Sequence, residues 1–111
     1  MPLKPYEIAI LLQMYNEQII GHRGYTSLQI VRSKINWKKI SSYYRIRESF
    51  DSITRRLVKR GFLNDDGKSL AVLFLDKFGV DFVKGYLIDF PNAQRDLAEI
   101  ISGQKTNRME N

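Results

Sequence analysis

Basic and hydroxyl side chains recur in the middle of the chain at spacings that put most of them on one side of a helix. In residues 45–59 they include Arg45, Ser49, Ser52, Arg55, Arg56 and Lys59. The apolar positions between them advance by four, three and four residues and are Ile46, Phe50, Ile53 and Leu57. Projected at 100° per residue, the polar set lies largely opposite this apolar stripe. The segment therefore predicts a helix with one buried face and one face of cations and hydroxyls, which we call the basic helix.

The positive charge of the chain is concentrated around this helix. Among 111 residues there are 18 Lys+Arg and 12 Asp+Glu, a formal net charge of +6 at pH 7. Residues 22–60 hold 11 basic and 2 acidic side chains, whereas residues 61–111 hold 6 basic and 8 acidic ones. Such a distribution favours a polyanionic partner. A solvated surface that is rich in Lys and Arg is the alternative.

Aromatic residues and lysines are mixed just before the basic helix. Trp37, Lys38, Lys39, Tyr43 and Tyr44 lie within eight positions, and such mixtures stack on bases or lie against a sugar–phosphate edge. We expect Lys38 and Lys39 to contact phosphates and Trp37 to fill the core. At most one of the two adjacent tyrosines can share the buried stripe, so the other is free to reach outward.

The sequence lacks the usual residue sets of catalytic and metal sites. It has no Cys, and His22 is its only His, so disulfides and thiolate chemistry are excluded and a zinc site is disfavoured. The aspartates Asp65, Asp66, Asp76, Asp81 and Asp89 are expected at turns, caps and surfaces. No glycine-rich phosphate loop follows a predicted strand. We therefore expect a protein that is not an enzyme and has no catalytic residues, cofactor or metal.

Length and composition predict one domain over residues 1–103, followed by a polar tail, residues 104–111, that is expected to be disordered. A hydrophobic fraction of 43% with 27% charged residues is typical of globular proteins. The N-terminal residues have no signal-peptide pattern, and their apolar run is too short to cross a bilayer. We expect no contact with a membrane and a cytoplasmic location, associated with the nucleoid if the source is prokaryotic.

The elements that position these residues follow from periodicity and turn residues. A first helix is predicted over residues 5–20, and a short second helix follows a cap at Thr26 or Ser27. Residues 36–42 are predicted to be a connection, with the basic helix beginning near Ser42 or Tyr43. Gly61 ends that helix.

A hairpin and two further helices are predicted in the remainder. Residues 62–64 and 70–75 form the two strands, joined by an Asp-Gly turn. Asp76 caps a fourth helix, in which Gly79 and Gly85 are weak helix formers. The fifth helix runs from Ala93 to Gly103.

Two segments carry a family resemblance. The segment ITRRLVKRGFL, residues 53–63, is similar to a recognition helix with its exit into a wing, and LDKFG, residues 75–79, is similar to the Leu-Thr-x-x-Gly that leads out of the wing in MarR-like and PadR-like regulators. Over residues 6–88 the order of elements resembles the winged helix-turn-helix family. That resemblance implies an α+β fold, mostly α, with a three-helix core, a two-stranded β-hairpin wing and one or two C-terminal helices.

The resemblance also implies a function. In this family the third helix enters the major groove of double-stranded DNA and the second helix crosses above it, often in a transcriptional regulator. Transferred to this sequence, the implied DNA contacts are Lys38, Lys39, Tyr43, Arg45, Ser49, Ser52, Arg55, Arg56, Lys59 and, in the wing, Lys68. The wing tip departs from the family pattern because it carries Asp65 and Asp66, and minor-groove reading by this wing is therefore not expected. The connection over residues 35–44 is also longer than the turn of many members.

Other interpretations of the same residues stay open. Arg56 and Lys59 would also serve as solubilising helix surface, and Arg60 as a partner of the helix C-terminus. The apolar area of the last two helices predicts a homodimer through them, or a fifth helix that folds back over the first within one chain. The whole domain would also serve as an interaction module, within a larger transcription or replication assembly, whose basic face meets an acidic protein.

Overall fold

The computed structural model of this chain describes residues 2–21, 26–65 and 72–103. In these ranges the fold is α+β and mostly helical, as predicted, with six helices and three short strands. In chain order they are α1 (Pro5–Asn16), β1 (Thr26–Ser27), α2 (Leu28–Lys34), α3 (Trp37–Tyr44), α4 (Phe50–Lys59), β2 (Leu63–Asn64), β3 (Val72–Leu75), α5 (Lys77–Asp89) and α6 (Ala93–Ser102). The predictions for His22, Lys68 and the tail 104–111 lie outside the described residues.

The central element is α1, which contacts α3, α5 and β3. Because these neighbours surround it, the helix is buried on more than the single stripe predicted from its sequence. Ile10 and Met14 are fully buried, whereas Ile8 and Tyr15 are only partly so. The helix ends at Asn16 rather than near Ile20, and the chain then runs alongside β3.

The predicted hairpin is present and has a third strand. The middle strand β3 pairs antiparallel with β2, with Leu63 opposite Leu75, and antiparallel with β1, with Ser27 opposite Val72. The strand order is β1-β3-β2. Leu63 and Leu75 are fully buried, so one face of this small sheet closes the core against α1.

The segment between β1 and β2 has one helix more than predicted. Residues 37–44 form α3, where a connection was predicted, and α4 begins at Phe50 rather than near Ser42 or Tyr43. Backbone in the left-handed region at Asn36 (φ 59°) and Arg45 (φ 55°) separates α3 from its neighbours. The helix that precedes α4 across a turn is therefore α3, not α2. The predicted start was wrong because neither boundary carries the glycine that usually marks such a conformation.

The residues that cap helix starts and the glycines that end helices were predicted more accurately. The Oγ of Ser27 accepts a hydrogen bond from the backbone N–H of Ile30 at the start of α2, and the carboxylate of Asp76 accepts one from Lys77 at the start of α5. Gly61 (φ 88°) and Gly103 (φ 83°) take the left-handed conformation just after α4 and α6. These predictions are confirmed.

The C-terminal helices pack against the same chain. Helix α5 contacts α1 and β3, and α6 contacts α3. Gly79 lets α5 approach the backbone before β2, because a Cβ built on it would lie 2.1 Å from the carbonyl oxygen of Phe62. Leu97 and Ile100 of α6 are buried, so part of the apolar area that predicted a dimer is covered within one chain.

Candidate nucleic-acid interface

Helix α4 has the two faces that its sequence predicted. Ile53 and Leu57 are fully buried in the core, while Arg55 and Lys59 are exposed on the opposite side. Ser49, also exposed, caps the helix, its Oγ lying 3.1 Å from the backbone nitrogen of Ser52. An open groove of about 700 Å³ runs beside this outer face and is lined by Ser49, Asp51, Ser52, Arg55, Arg56, Val58, Lys59 and Asp65. We call it the α4 groove; it brings together five of the predicted contact residues.

Arg56 differs from its neighbour Arg55 because its guanidinium is held between two carboxylates. Its Nε and Nη2 lie 2.9 and 2.8 Å from Oε2 of Glu7, a residue of α1 that is 1% exposed. Its Nη1 pairs with Oε2 of Glu48, and its Nη2 donates to Oε1 of Glu48 at 3.0 Å. Arg56 therefore connects α4 both to α1 and to the segment before α4, which we call the Arg56 clamp.

Further hydrogen bonds hold the two carboxylates in place. Oε1 of Glu7 accepts from the backbone N–H of Lys4 at 2.8 Å, and Oε2 of Glu48 accepts from the Ser52 hydroxyl at 2.8 Å. The hydrogen bond from Arg56, with a smaller one from Ser52, lowers the pKa of Glu48 to about 2, and hydrogen bonds to Glu48 and Glu7 raise the pKa of Arg56. The clamp was missed from sequence because Glu7 and Arg56 are 49 residues apart.

The predicted contacts on α3 lie away from the α4 groove. Lys38 lines a second open groove, of about 500 Å³, together with Arg32 of α2. Lys39 is exposed on α3, and Arg45 is exposed at the turn that follows. Arg32 was not among the predicted contacts, because a helix break separates it from Lys38 and only the packing of α2 on α3 brings the two cations together.

The aromatic residues of α3 lie away from the α4 groove. Trp37 is 6% exposed and its ring lies 5.0 Å from that of Phe50, so the prediction that it fills the core is confirmed. Tyr43 and Tyr44 line a third groove, against α1, α5 and α6. The structure therefore does not place Tyr43 beside Arg55 and Lys59.

Neither a metal-binding cluster nor a membrane-spanning helix is found in residues 2–21, 26–65 and 72–103. There, no group of three or more His, Cys, Asp and Glu side chains is arranged to hold a metal ion. No helix in the same ranges has the length and apolar content needed to cross a bilayer.

No protein-family model, curated protein or solved structure matches this chain. The chemistry of its own side chains is therefore the basis for inferring what it binds.

Proposed function

We propose that this chain binds double-stranded DNA through α4 and acts as a transcriptional regulator with a winged helix-turn-helix fold. The observation that carries the proposal is the outer face of α4, where Arg55 and Lys59 project from a helix whose inner face is fixed in the core by Ile53 and Leu57. The order α3, turn, α4 and then a small antiparallel sheet is compatible with this fold.

The side chains beside the α4 groove suit the two kinds of DNA contact. The guanidinium of Arg55 presents a planar fork that fits O6 and N7 of guanine, whereas the ammonium of Lys59 suits a phosphate. Ser49 adds a hydroxyl at the start of the same helix, whereas the hydroxyl of Ser52 already donates to Glu48. Asp51 and Asp65 also line this groove, and their charges favour contacts made from the Arg55 and Lys59 side.

Cations on α2 and α3 extend the proposed contact. Arg32, Lys38, Lys39 and Arg45 are exposed and suit phosphates, which position a protein on the duplex without reading sequence. Arg56 is assigned a different role, since both carboxylates of its clamp already occupy the guanidinium. It fixes the direction in which α4 presents Arg55 and Lys59.

Fluorescence anisotropy with a labelled DNA duplex of random sequence tests the proposal. A length of about 30 base pairs is enough for two half-sites one turn apart. Affinity should fall steeply with salt, since each neutralised phosphate contributes a slope of about −0.9 in log K against log salt. Arg55→Ala/Lys59→Ala should weaken binding and flatten the slope by about one unit for each phosphate that the variant no longer neutralises. Arg95→Ala, at an exposed position of α6, removes one positive charge away from α4 and from α5, and should change binding much less than Arg55→Ala or Lys59→Ala alone.

Two outcomes would contradict DNA binding through α4. A folded sample that binds no duplex at low salt would leave an acidic protein as the candidate partner. Equal reductions in affinity from Arg95→Ala and from each single α4 substitution would show that net charge alone, and not the α4 face, drives binding.

We also propose that the chain forms a homodimer through α5. Ile88 is 80% exposed and Phe78 is 57% exposed, so apolar area remains on α5 after the packing within one chain is complete. A two-fold dimer would present two copies of α4 to successive turns of DNA.

Sedimentation velocity across a concentration series tests the dimer. Ile88→Glu should shift the protein to monomer, whereas Ile30→Glu, on α2 and 47% exposed, should not. A wild-type protein that stays monomeric throughout would exclude this dimer.

A further inference from the structure

The third groove lies among four helices and is separate from the surface proposed to contact DNA through Arg55 and Lys59. It has a volume of about 520 Å³ and lies between α1, α3, α5 and α6, and we call it the four-helix groove. This volume is in the range of sites that bind small molecules, roughly 300–1,000 Å³. The side chains that determine its chemistry are Tyr43, Tyr44, Tyr86, Phe90, Asp89 and Asp96.

Four aromatic rings, from α3, α5 and the residue after α5, line the groove. The rings of Tyr43 and Tyr44 meet edge to face with centroids 4.9 Å apart, and those of Tyr86 and Phe90 lie 4.6 Å apart. Both ring pairs line the same groove. Burial raises the pKa of the Tyr44 hydroxyl, with further contributions from Tyr43 and Tyr86. Phe90 is 54% exposed, so its ring remains open to a ligand. Aromatic faces attract organic cations as well as apolar groups.

The charge of the groove is opposite to that of the chain. The chain has 18 Lys+Arg and a net charge of +6, yet the described lining includes Asp89 and Asp96 and no Lys or Arg. Helices α3 and α5 end at the groove while α1 and α6 begin there, so the positive and negative helix ends largely offset each other. The charged side chains of the described lining are therefore both acidic.

The position of Asp89 points to a ligand rather than to helix stability. It is the last residue of α5, where the backbone carbonyls make a negative end that disfavours a carboxylate, and the last turn of α5 contains no basic residue. A cation in the groove would offset both the carboxylate and the helix end.

We propose that the four-helix groove binds an apolar organic monocation, such as a quaternary ammonium or phosphonium compound, with its apolar groups against the tyrosine and phenylalanine rings and its charge near Asp89. This site is distinct from the α4 groove, and its occupancy is measured without DNA. Its success or failure is therefore separate from that of the DNA-binding proposal.

Isothermal titration calorimetry with tetraphenylphosphonium and tetraphenylborate tests the site, because the two ions have nearly the same shape and opposite charge. The cation should bind at least about tenfold more tightly than the anion, as expected for a charge held close to a carboxylate and to aromatic rings. Adsorption governed by the net charge of +6 would favour the anion instead.

Two matched variants locate the binding. Asp89→Asn should weaken the cation about five- to tenfold, corresponding to about 1–1.4 kcal/mol. Asp81→Asn removes a carboxylate from an exposed position on the same helix, outside the groove, and should leave the affinity unchanged. Near-ultraviolet circular dichroism confirms that each variant is folded.

Three results would overturn the proposal. The first is that the cation does not bind at millimolar concentration. The second is that the two ions bind with equal affinity, and the third is that the Asp89→Asn variant still prefers the cation.

Discussion

Helices α4 and α5 have apolar residues at similar spacings but bury them to very different extents. In α4, Phe50, Ile53 and Leu57 are at most 3% exposed. Along α5 and the residue that follows it, aromatic residues recur every fourth position, at Phe78, Phe82, Tyr86 and Phe90, and the two at the ends are more than half exposed. A stripe of helical period therefore shows which residues share a side of a helix, while neighbouring elements decide how much of that side is covered.

The two helices are also held in place by different forces. Helix α4 is attached to α1 through an ionic contact, the Arg56 clamp, in which one carboxylate is almost completely buried. Helix α5 begins against the backbone at Phe62, where only a glycine fits. The rings of Phe78 and Phe82 pack against the Phe62 ring, with centroids 4.8 and 5.4 Å away. One helix should therefore respond to loss of charge, and the other to added volume.

The largest expected effect is that of Arg56→Ala. It leaves Glu7 buried without its cation, and we expect the free energy of unfolding to fall by about 3 kcal/mol. Arg55→Ala, one position earlier and exposed, should change it by less than about 0.5 kcal/mol. Urea denaturation followed by Trp37 fluorescence measures both, and similar decreases in the two variants would show that the clamp contributes no more than an ordinary surface arginine.

Alanine substitutions at two glycines of α5 test the close approach of that helix. Gly79→Ala should destabilise the protein by about 2 kcal/mol, because the new Cβ meets the carbonyl oxygen of Phe62 and the helix must shift. Gly85→Ala has nothing within 4 Å of the new Cβ and should stabilise by up to about 1 kcal/mol through helix propensity. Thermal unfolding of both variants is the measurement. A change of the same sign in both would contradict this account of Gly79.

The smallest expected effect is a pH dependence at the clamp. The pKa of Glu48 is about 2 in the folded chain against an ordinary value of 4.5, so its ion pair contributes stability above pH 4.5 that is lost as the pH falls towards 2. Because Glu48 is partly exposed, we expect this contribution to be about 1 kcal/mol. The difference in unfolding free energy between the wild type and Glu48→Gln should therefore shrink across this window, as measured by urea titrations at several pH values. A constant difference would show that the carboxylate charge does not stabilise the fold.

Much of the local structure could be predicted because its signals lie within a few residues. The caps at Ser27 and Asp76 depend on a side-chain oxygen next to a free N–H at a helix start, and Gly61 and Gly103 supply the left-handed backbone at helix ends. The start of α4 was misplaced because Arg45 takes a left-handed conformation that its residue type does not announce. In the same way, α3 was missed because its polar, basic sequence has a weaker apolar stripe than α4.

By itself, the sequence determined the helix ends that carry a cap or a glycine, the inner and outer faces of α4, and the concentration of positive charge before residue 61. Only the tertiary structure decided that Arg56 turns inward to Glu7 while Arg55 stays exposed, and that Tyr43 and Tyr44 join Asp89 around one groove. The physical reason is the range of each interaction. Helix periodicity and capping act over a few residues, whereas the pairing of a buried carboxylate and the lining of a groove depend on which distant segments pack together.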